Sequence, residues 1–244
     1  RSAALELNKI DFTVYVVGRR EEELIKTSSL ATNNNHEIIP FKTDITIGSQ
    51  VIALFDKIKS DHGRIDLLFN NAGITEGGFF DEIPYQRHME IININIVGVI
   101  NGIYSAVNLL KNTANSMSIT TSSSSGIMGM EMIASYSASK HAVKGLTESL
   151  SSEFKRFNSR AADILPGVID TPMIRDEIRK NLPKDGIWRL ISSEEIAKTV
   201  WKAYQSDKIH WYVPEELEEL EKEVAENPQK ARELLKTSGP LSSD

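Results

Sequence analysis

Cysteine is absent from the 244 residues, which excludes a disulfide framework, a thiolate nucleophile and any cysteine metal site. Glycine is absent ahead of Gly18, so no glycine-rich turn can lie in the opening stretch. No apolar run approaches the roughly 20 residues that a bilayer span needs. Basic residues are in deficit, 28 Lys and Arg against 34 Asp and Glu, for a net charge of -6. With acid gathered between Glu215 and Glu226, the chain offers little to nucleic acid or to an anionic membrane, and the expected partner is a small molecule. The five histidines, His36, His62, His88, His141 and His210, fall in different segments without metal-ligand spacing, so they are expected in packing or at the surface and no metal site is expected. A soluble, cytoplasmic protein is the expectation. Its length suits one α/β domain over residues 1–244. The first residue is Arg1, not methionine, and the opening residues already read as helix, so a beginning upstream of Arg1 is expected and no signal peptide can be judged.

What is present is alternation. Ser2 to Lys9 reads as helix, Phe12 to Val17 as a buried strand, Glu21 to Leu30 as helix, Glu37 to Lys42 as strand and Ser49 to Ser60 as helix. The pattern continues through a strand Ile65 to Phe69, a long helix Tyr85 to Leu110, a strand Ser116 to Thr121, a helix to about Phe157 and a strand Ala161 to Leu165. A helix Ser193 to Tyr204 and a strand His210 to Val213 follow. Leu217, Leu220 and Val224 recur at helical spacing, so residues 214–244 read as a helical extension whose acidic face is solvated. Such alternation predicts a doubly wound parallel sheet covered on both faces, with the ligand beyond the carboxyl ends of the strands.

The chemistry gathers at those ends. Tyr136 and Lys140 stand one helical turn apart, so an ammonium on the same face would lower the phenol pKa from near 10 by roughly 1 to 3 units, toward acid/base range. The same spacing also occurs on ordinary helix surfaces. Ser123 ends a predicted strand, where its hydroxyl is either a turn residue or a group aimed at the same cleft. Ser137-x-x-Lys140 also matches the Ser-x-x-Lys of serine β-lactamases, but the Ser-Asp-Asn and Lys-Thr-Gly elements of such a site are missing.

Taken together, Asn71-Ala72-Gly73, Asn95-Ile96-Val97-Gly98, Ser123, Tyr136-x-x-x-Lys140 and Pro166-Gly167-Val168-Ile169-Asp170-Thr171 resemble the short-chain dehydrogenase/reductase family in order and spacing, over nearly the whole chain. The resemblance implies a Rossmann-like fold and an oxidoreductase that interconverts a carbonyl and an alcohol by hydride transfer; the alternative is a non-catalytic binding relative. It makes Tyr136 the general acid or base. Lys140 would lower its pKa and hold the nicotinamide ribose, Ser123 would hold the substrate oxygen, and Asn95 would complete a proton relay or serve as a buried hydrogen-bonding partner. Asn71 would tie neighbouring strands while Ala72 and Gly73 let the backbone approach the cofactor. Asp44 and Ile45 would contact adenine, and Pro166, Gly167, Ile169 and Thr171 would fix the nicotinamide carboxamide.

Cofactor choice rests on Gly18-Arg19-Arg20. An NAD site normally ends this strand in an acid; here Gly18 stands there and Arg19 offers a planar fork of donors to a 2′-phosphate, so NADP(H) is expected over NAD(H). The plainer reading pairs Arg19 and Arg20 with Glu21 to Glu23. One departure is serious: the family's first strand and phosphate loop are missing ahead of the opening helix, and without them the sheet would lose its central strand and pyrophosphate its cradle. Residues upstream of Arg1 are expected to supply them. Residues 172–192 fall where the family places a substrate lid, and Ile174, Ile178, Leu182, Ile187 and Trp188 would line an apolar pocket or pack as helix. Apolar residues on more than one helix face, among them Ile96, Val97, Ile100, Val143, Leu146 and Leu150, predict a homodimer or homotetramer.

Overall fold

A computed structural model describes residues 1–238; the end of the expected C-terminal extension, 239–244, lies outside them. The chain runs α1 (Ser2–Lys9), β1 (Val14–Gly18), α2 (Glu21–Ser28), β2 (Ile38–Lys42), α3 (Gly48–His62), β3 (Leu67–Asn70), α4 (Tyr85–Ile92), α5 (Gly98–Lys111) and β4 (Met117–Thr121). It continues through α6 (Ala134–Glu153), β5 (Arg160–Pro166), β6 (Val168–Ile169), α7 (Asp176–Asn181), β7 (Leu190–Ile191), α8 (Ser193–Tyr204), β8 (His210–Val213), α9 (Leu217–Glu226) and α10 (Pro228–Ser238). Every strand pair is parallel, in the orders β1-β2, β3-β4-β5-β8 and β6-β7.

The central strands are buried on both faces, which is why β5 reads as an unbroken run from Ala161 to Pro166. On one face α3, α5 and α6 bury Val51, Leu54, Phe55, Val99, Ile103 and Val143; on the other, α1 and α8 bury Leu7, Ile196, Val200 and Ala203. Each such side chain contributes roughly 1.5 to 3 kcal/mol on leaving water. A third cluster gathers Ile127, Leu165, Trp188, Leu217 and Leu220. It gives Trp188 and the adjoining Ile187 to packing rather than to a ligand pocket, and it docks the acidic helix α9 by its apolar stripe.

Two features correct the reading of the sequence. The rod Tyr85–Lys111 is 27 residues long and apolar enough, by length and composition, to cross a bilayer. Asn93, Asn95, Asn101 and Asn108 break the run in the sequence, and the rod buries Ala106, Leu109 and Leu110 in the core. The strands, moreover, do not form one sheet: besides the small β6-β7 pair, β1-β2 is separate from β3-β4-β5-β8, and β1 and β3 flank a cavity of about 910 Å³, with apolar walls from Val14, Val16, Leu67, Phe69 and Ile45 and with Arg1 to Ala4 at its edge.

Candidate active site

Three strand ends and one helix face build the site. A π-helical segment, Asn93–Val97, interrupts the rod between α4 and α5 and buries Asn95, which is 1 % exposed. Its amide is fully committed: Oδ1 accepts from the Ile74 N–H at 2.9 Å, and Nδ2 donates to the Ile74 carbonyl at 2.9 Å and to Ser139 Oγ at 3.0 Å. Asn95 is thus a buried partner pinning the segment after β3. A Cβ at Gly73 would lie 3.2 Å from Asn95 Oδ1 and 3.6 Å from Lys140 Nζ, so the backbone passes close to both groups and a side chain there would press on the Asn95 amide. Asn71 accepts from Thr121 Oγ1 at 3.1 Å, a bond between the ends of β3 and β4.

Ser123 follows β4 and caps a short 3₁₀ turn, Ser124–Gly126, its Oγ accepting from the Ser125 N–H at 3.1 Å. Tyr136 sits in the first turn of α6. The Lys140 ammonium lies 5.5 Å from its ring centroid and donates to the Thr121 carbonyl at 2.7 Å. Tyr136, Ser123 and Lys140 therefore converge. Their electrostatics differ from the expected direction: burial pushes the Tyr136 phenol above its ordinary value, with the Ser123 hydroxyl pulling it back, and burial pushes Lys140 down to about 8. For both groups burial is the larger cause, and it disfavours the charged form.

Beyond the end of β1, Arg19 is exposed and lines a hollow of about 320 Å³ with Asp44, Thr46, Tyr85, Gln86, Glu90 and Asn93. No described carboxylate lies within 4.0 Å of Arg19; Glu21 pairs with Lys42 and Glu23 with Arg1. Arg20 stands at the N-cap of α2. Hydrogen bonds from the Thr46 hydroxyl and N–H hold Asp44 below the usual carboxylate range. Ile45 is turned inward, so that a Cβ at Gly98 would meet its Cδ1 at 2.5 Å; the structure gives it a packing role. Gly18 has room, a Cβ there meeting Leu24 Cδ2 at an ordinary 3.6 Å. After β5, the Gly167 N–H donates to the Val213 carbonyl at 2.8 Å, and Ile169 is fixed by the β6-β7 pair. Arg179 of α7 reaches back to Asp170 at 3.1 Å and to the Thr171 carbonyl at 3.1 Å, joining the segment 172–192 to the Pro166-to-Thr171 loop.

The sequence pattern described as short chain dehydrogenase matches residues 1–182. The chain belongs to this family. Levodione reductase of Leifsonia aquatica is 31 % identical over 164 residues, 67 % of this short-chain dehydrogenase and 61 % of the relative. A 3alpha-hydroxysteroid dehydrogenase of Mediterraneibacter gnavus is 33 % identical over 52 % of this chain and 50 % of its own length, and a (-)-trans-carveol dehydrogenase of Rhodococcus erythropolis 32 % identical over 64 % and 57 %. The chain thus spans between half and 61 % of the length of these three curated relatives. The fold matches a short-chain dehydrogenase from Burkholderia phymatum solved with NAD, at a TM-score of 0.81 and 22 % identity over 94 % of this chain and 90 % of that one. An alcohol dehydrogenase of Thermococcus sibiricus, solved with 5-hydroxy-NADP, gives 0.75 and 19 % over 86 % and 88 %.

Some working parts of this short-chain dehydrogenase had no motif to announce them. Ser139, fully buried, accepts from Asn95 and donates to the Tyr136 carbonyl at 2.7 Å. Ser122 Oγ donates to the Lys140 carbonyl at 2.9 Å, and the Met130 N–H donates to Ser137 Oγ at 3.2 Å. The signal was available: serines at 137 and 139 crowd the face that carries Tyr136 and Lys140, where an ordinary core helix would carry leucine or valine.

Proposed function

We propose that this chain is an NADP(H)-dependent oxidoreductase interconverting a ketone or aldehyde and an alcohol. The observation that supports it most is the convergence of Tyr136, Ser123 and Lys140 beyond the end of β4. The nicotinamide cofactor, when bound, supplies or accepts the hydride. The rest falls to the chain. Ser123 holds the substrate oxygen, and the Tyr136 hydroxyl gives that oxygen its proton as charge develops on it, or takes the proton back in the reverse direction. A phenol held protonated by burial suits the donor role, and Lys140 beside its ring stabilises the phenolate that donation leaves.

The residues fit a dinucleotide at two ends. Gly73, Lys140 and the Pro166-to-Thr171 loop would hold the nicotinamide half, while Arg19, Arg20 and Asp44 would hold the adenosine half; residues 1–18 contain no pyrophosphate cradle. The relatives' names favour a carbonyl or secondary alcohol, and the exposed apolar side chains Phe79, Phe80 and Met173, on segments that meet where Arg175 approaches Gly77, favour an apolar one. Residues 172–192 would act as its lid.

Arg19, beside an open hollow and free of described carboxylate partners, supports the choice of NADPH. Charged hydrogen bonds contribute roughly 1.5 to 3 kcal/mol, so NADPH should be preferred by about tenfold to a hundredfold. Measured as kcat/KM for both cofactors in the full-length protein, that preference should mostly vanish in Arg19→Ala and turn toward NADH in Gly18→Asp, for which the structure leaves room. Equal use of NADH by the wild type would sink the assignment. We also propose that a second copy of the chain covers the outer face of α5.

A further inference from the structure

The first turn of α6 carries Tyr136 and lacks a side-chain cap: Ile133 stands at its N-cap position. Side-chain bonds from outside the helix secure it. One is the Met130 N–H on Ser137 Oγ; the other comes from His88 on α4, whose Nδ1 lies 2.7 Å from Ser135 Oγ, next to Tyr136 in sequence. On the opposite side of the ring, His88 Nε2 lies 3.0 Å from the Phe80 carbonyl oxygen, and the Phe80 ring packs on the imidazole with centroids 4.5 Å apart and a tilt of 31°. A carbonyl only accepts, so Nε2 carries the hydrogen; in the neutral ring Nδ1 then accepts from the Ser135 hydroxyl. A second proton would merely reverse the Ser135 bond. The bridge therefore holds in either form.

Phe80 belongs to the loop between β3 and α4 that leads on from Gly73 and touches α6's approach again through the Gly78 N–H on the Met132 carbonyl at 2.9 Å. Met132 itself sits at φ +64°, a conformation that costs a side chain about 1 kcal/mol or more and needs such contacts to hold it. We propose that His88 is a positioning residue that locks the first turn of α6, and with it the Tyr136 hydroxyl, to the loop flanking the substrate. The proposal rests on the reading of Tyr136 as proton donor.

Three variants separate the two ends of the bridge. His88→Phe keeps a ring against Phe80 and removes both bonds; an asparagine amide reaches only Ser135, and a glutamine amide only the Phe80 carbonyl. Hydrogen exchange over 133–138 should rise about tenfold in His88→Phe and His88→Gln and stay at the wild-type rate in His88→Asn, whereas exchange over 78–82 should rise in His88→Phe and His88→Asn. With cofactor KM unchanged, kcat should fall about tenfold in His88→Phe and His88→Gln and recover in His88→Asn. Wild-type exchange in all three variants would overturn the proposal, as would an increase spread evenly over the chain with a falling Tm. Failure of the catalytic reading would look different: Tyr136→Phe would turn over like wild type while the exchange pattern of the His88 variants remained.

Discussion

Lys140 is where a single residue shows the cost of building this site. Its side chain is 4 % exposed and its ammonium has one described hydrogen bond, to Thr121, so burial holds its pKa near 8 against an ordinary 10.5. That depression corresponds to roughly 3 kcal/mol of stability withheld at neutral pH. The sign follows from the protons bound: between pH 8 and 10.5 the unfolded chain keeps a proton that the folded chain has released, so Lys140's contribution makes stability rise with pH across that window. Lys140→Met has no such titration. The Tm of the variant minus that of the wild type should therefore be most positive below pH 8 and decline toward pH 10.5. Parallel curves would mean that Lys140 is not carried as a strained cation.

At the scale of elements, the junction between β4 and α6 decides whether Ser123 and Lys140 meet. Gly126 closes the 3₁₀ turn after Ser123, and a Cβ there would lie 2.6 Å from Ser122 Oγ and 3.0 Å from the Lys140 carbonyl oxygen. Backbone stands in the way, so Gly126→Ala must push α6 from the turn, at about 1 to 3 kcal/mol. This should lower Tm by about 3 to 10 °C and lower kcat with it. Gly129, with nothing within 4 Å of its Cβ, is the control and should accept alanine without either loss. Sequence alone could not reveal this contact, because it joins positions fourteen apart through geometry that only the folded turn creates. Patterned elements were legible: α1, α8 and β8 fall on the residues their patterns predict, and β4 and β5 within a residue or two. The two-residue strands β6 and β7 were not, since two residues have no periodicity, and neither was the π segment at Asn95, which has no distinctive composition. Nor does any motif announce His210 on the buried Asp163 carboxylate, 2.8 Å away; a polar pair between β8 and β5 leaves no local pattern.

For the molecule as a whole, the legible part was the alternation of strand and helix, and the family resemblance drawn from residues 71 to 171 rests on groups just after β3, β4 and β5 and on the helical segments that carry Asn95, Tyr136 and Lys140. Burial of the α6 positions was less legible: Val143 is 1 % exposed and Leu146 and Leu150 pack on the same core, so half of the face expected to meet another subunit is used inside the chain. Val97, Ile100 and Tyr104 remain 38, 46 and 78 % exposed. Sedimentation at micromolar concentration should accordingly find a dimer or tetramer, and Tyr104→Glu with Ile100→Glu should shift it to monomer; a wild-type monomer would contradict the proposal. The account stands or falls, however, on the Tyr136 hydroxyl. Tyr136→Phe removes one oxygen and preserves the ring that packs beside Lys140. Assayed with NADPH and a panel of apolar ketones, it should lose about a hundredfold or more in kcat while binding cofactor as tightly as wild type; equal turnover by the two proteins would contradict the mechanism.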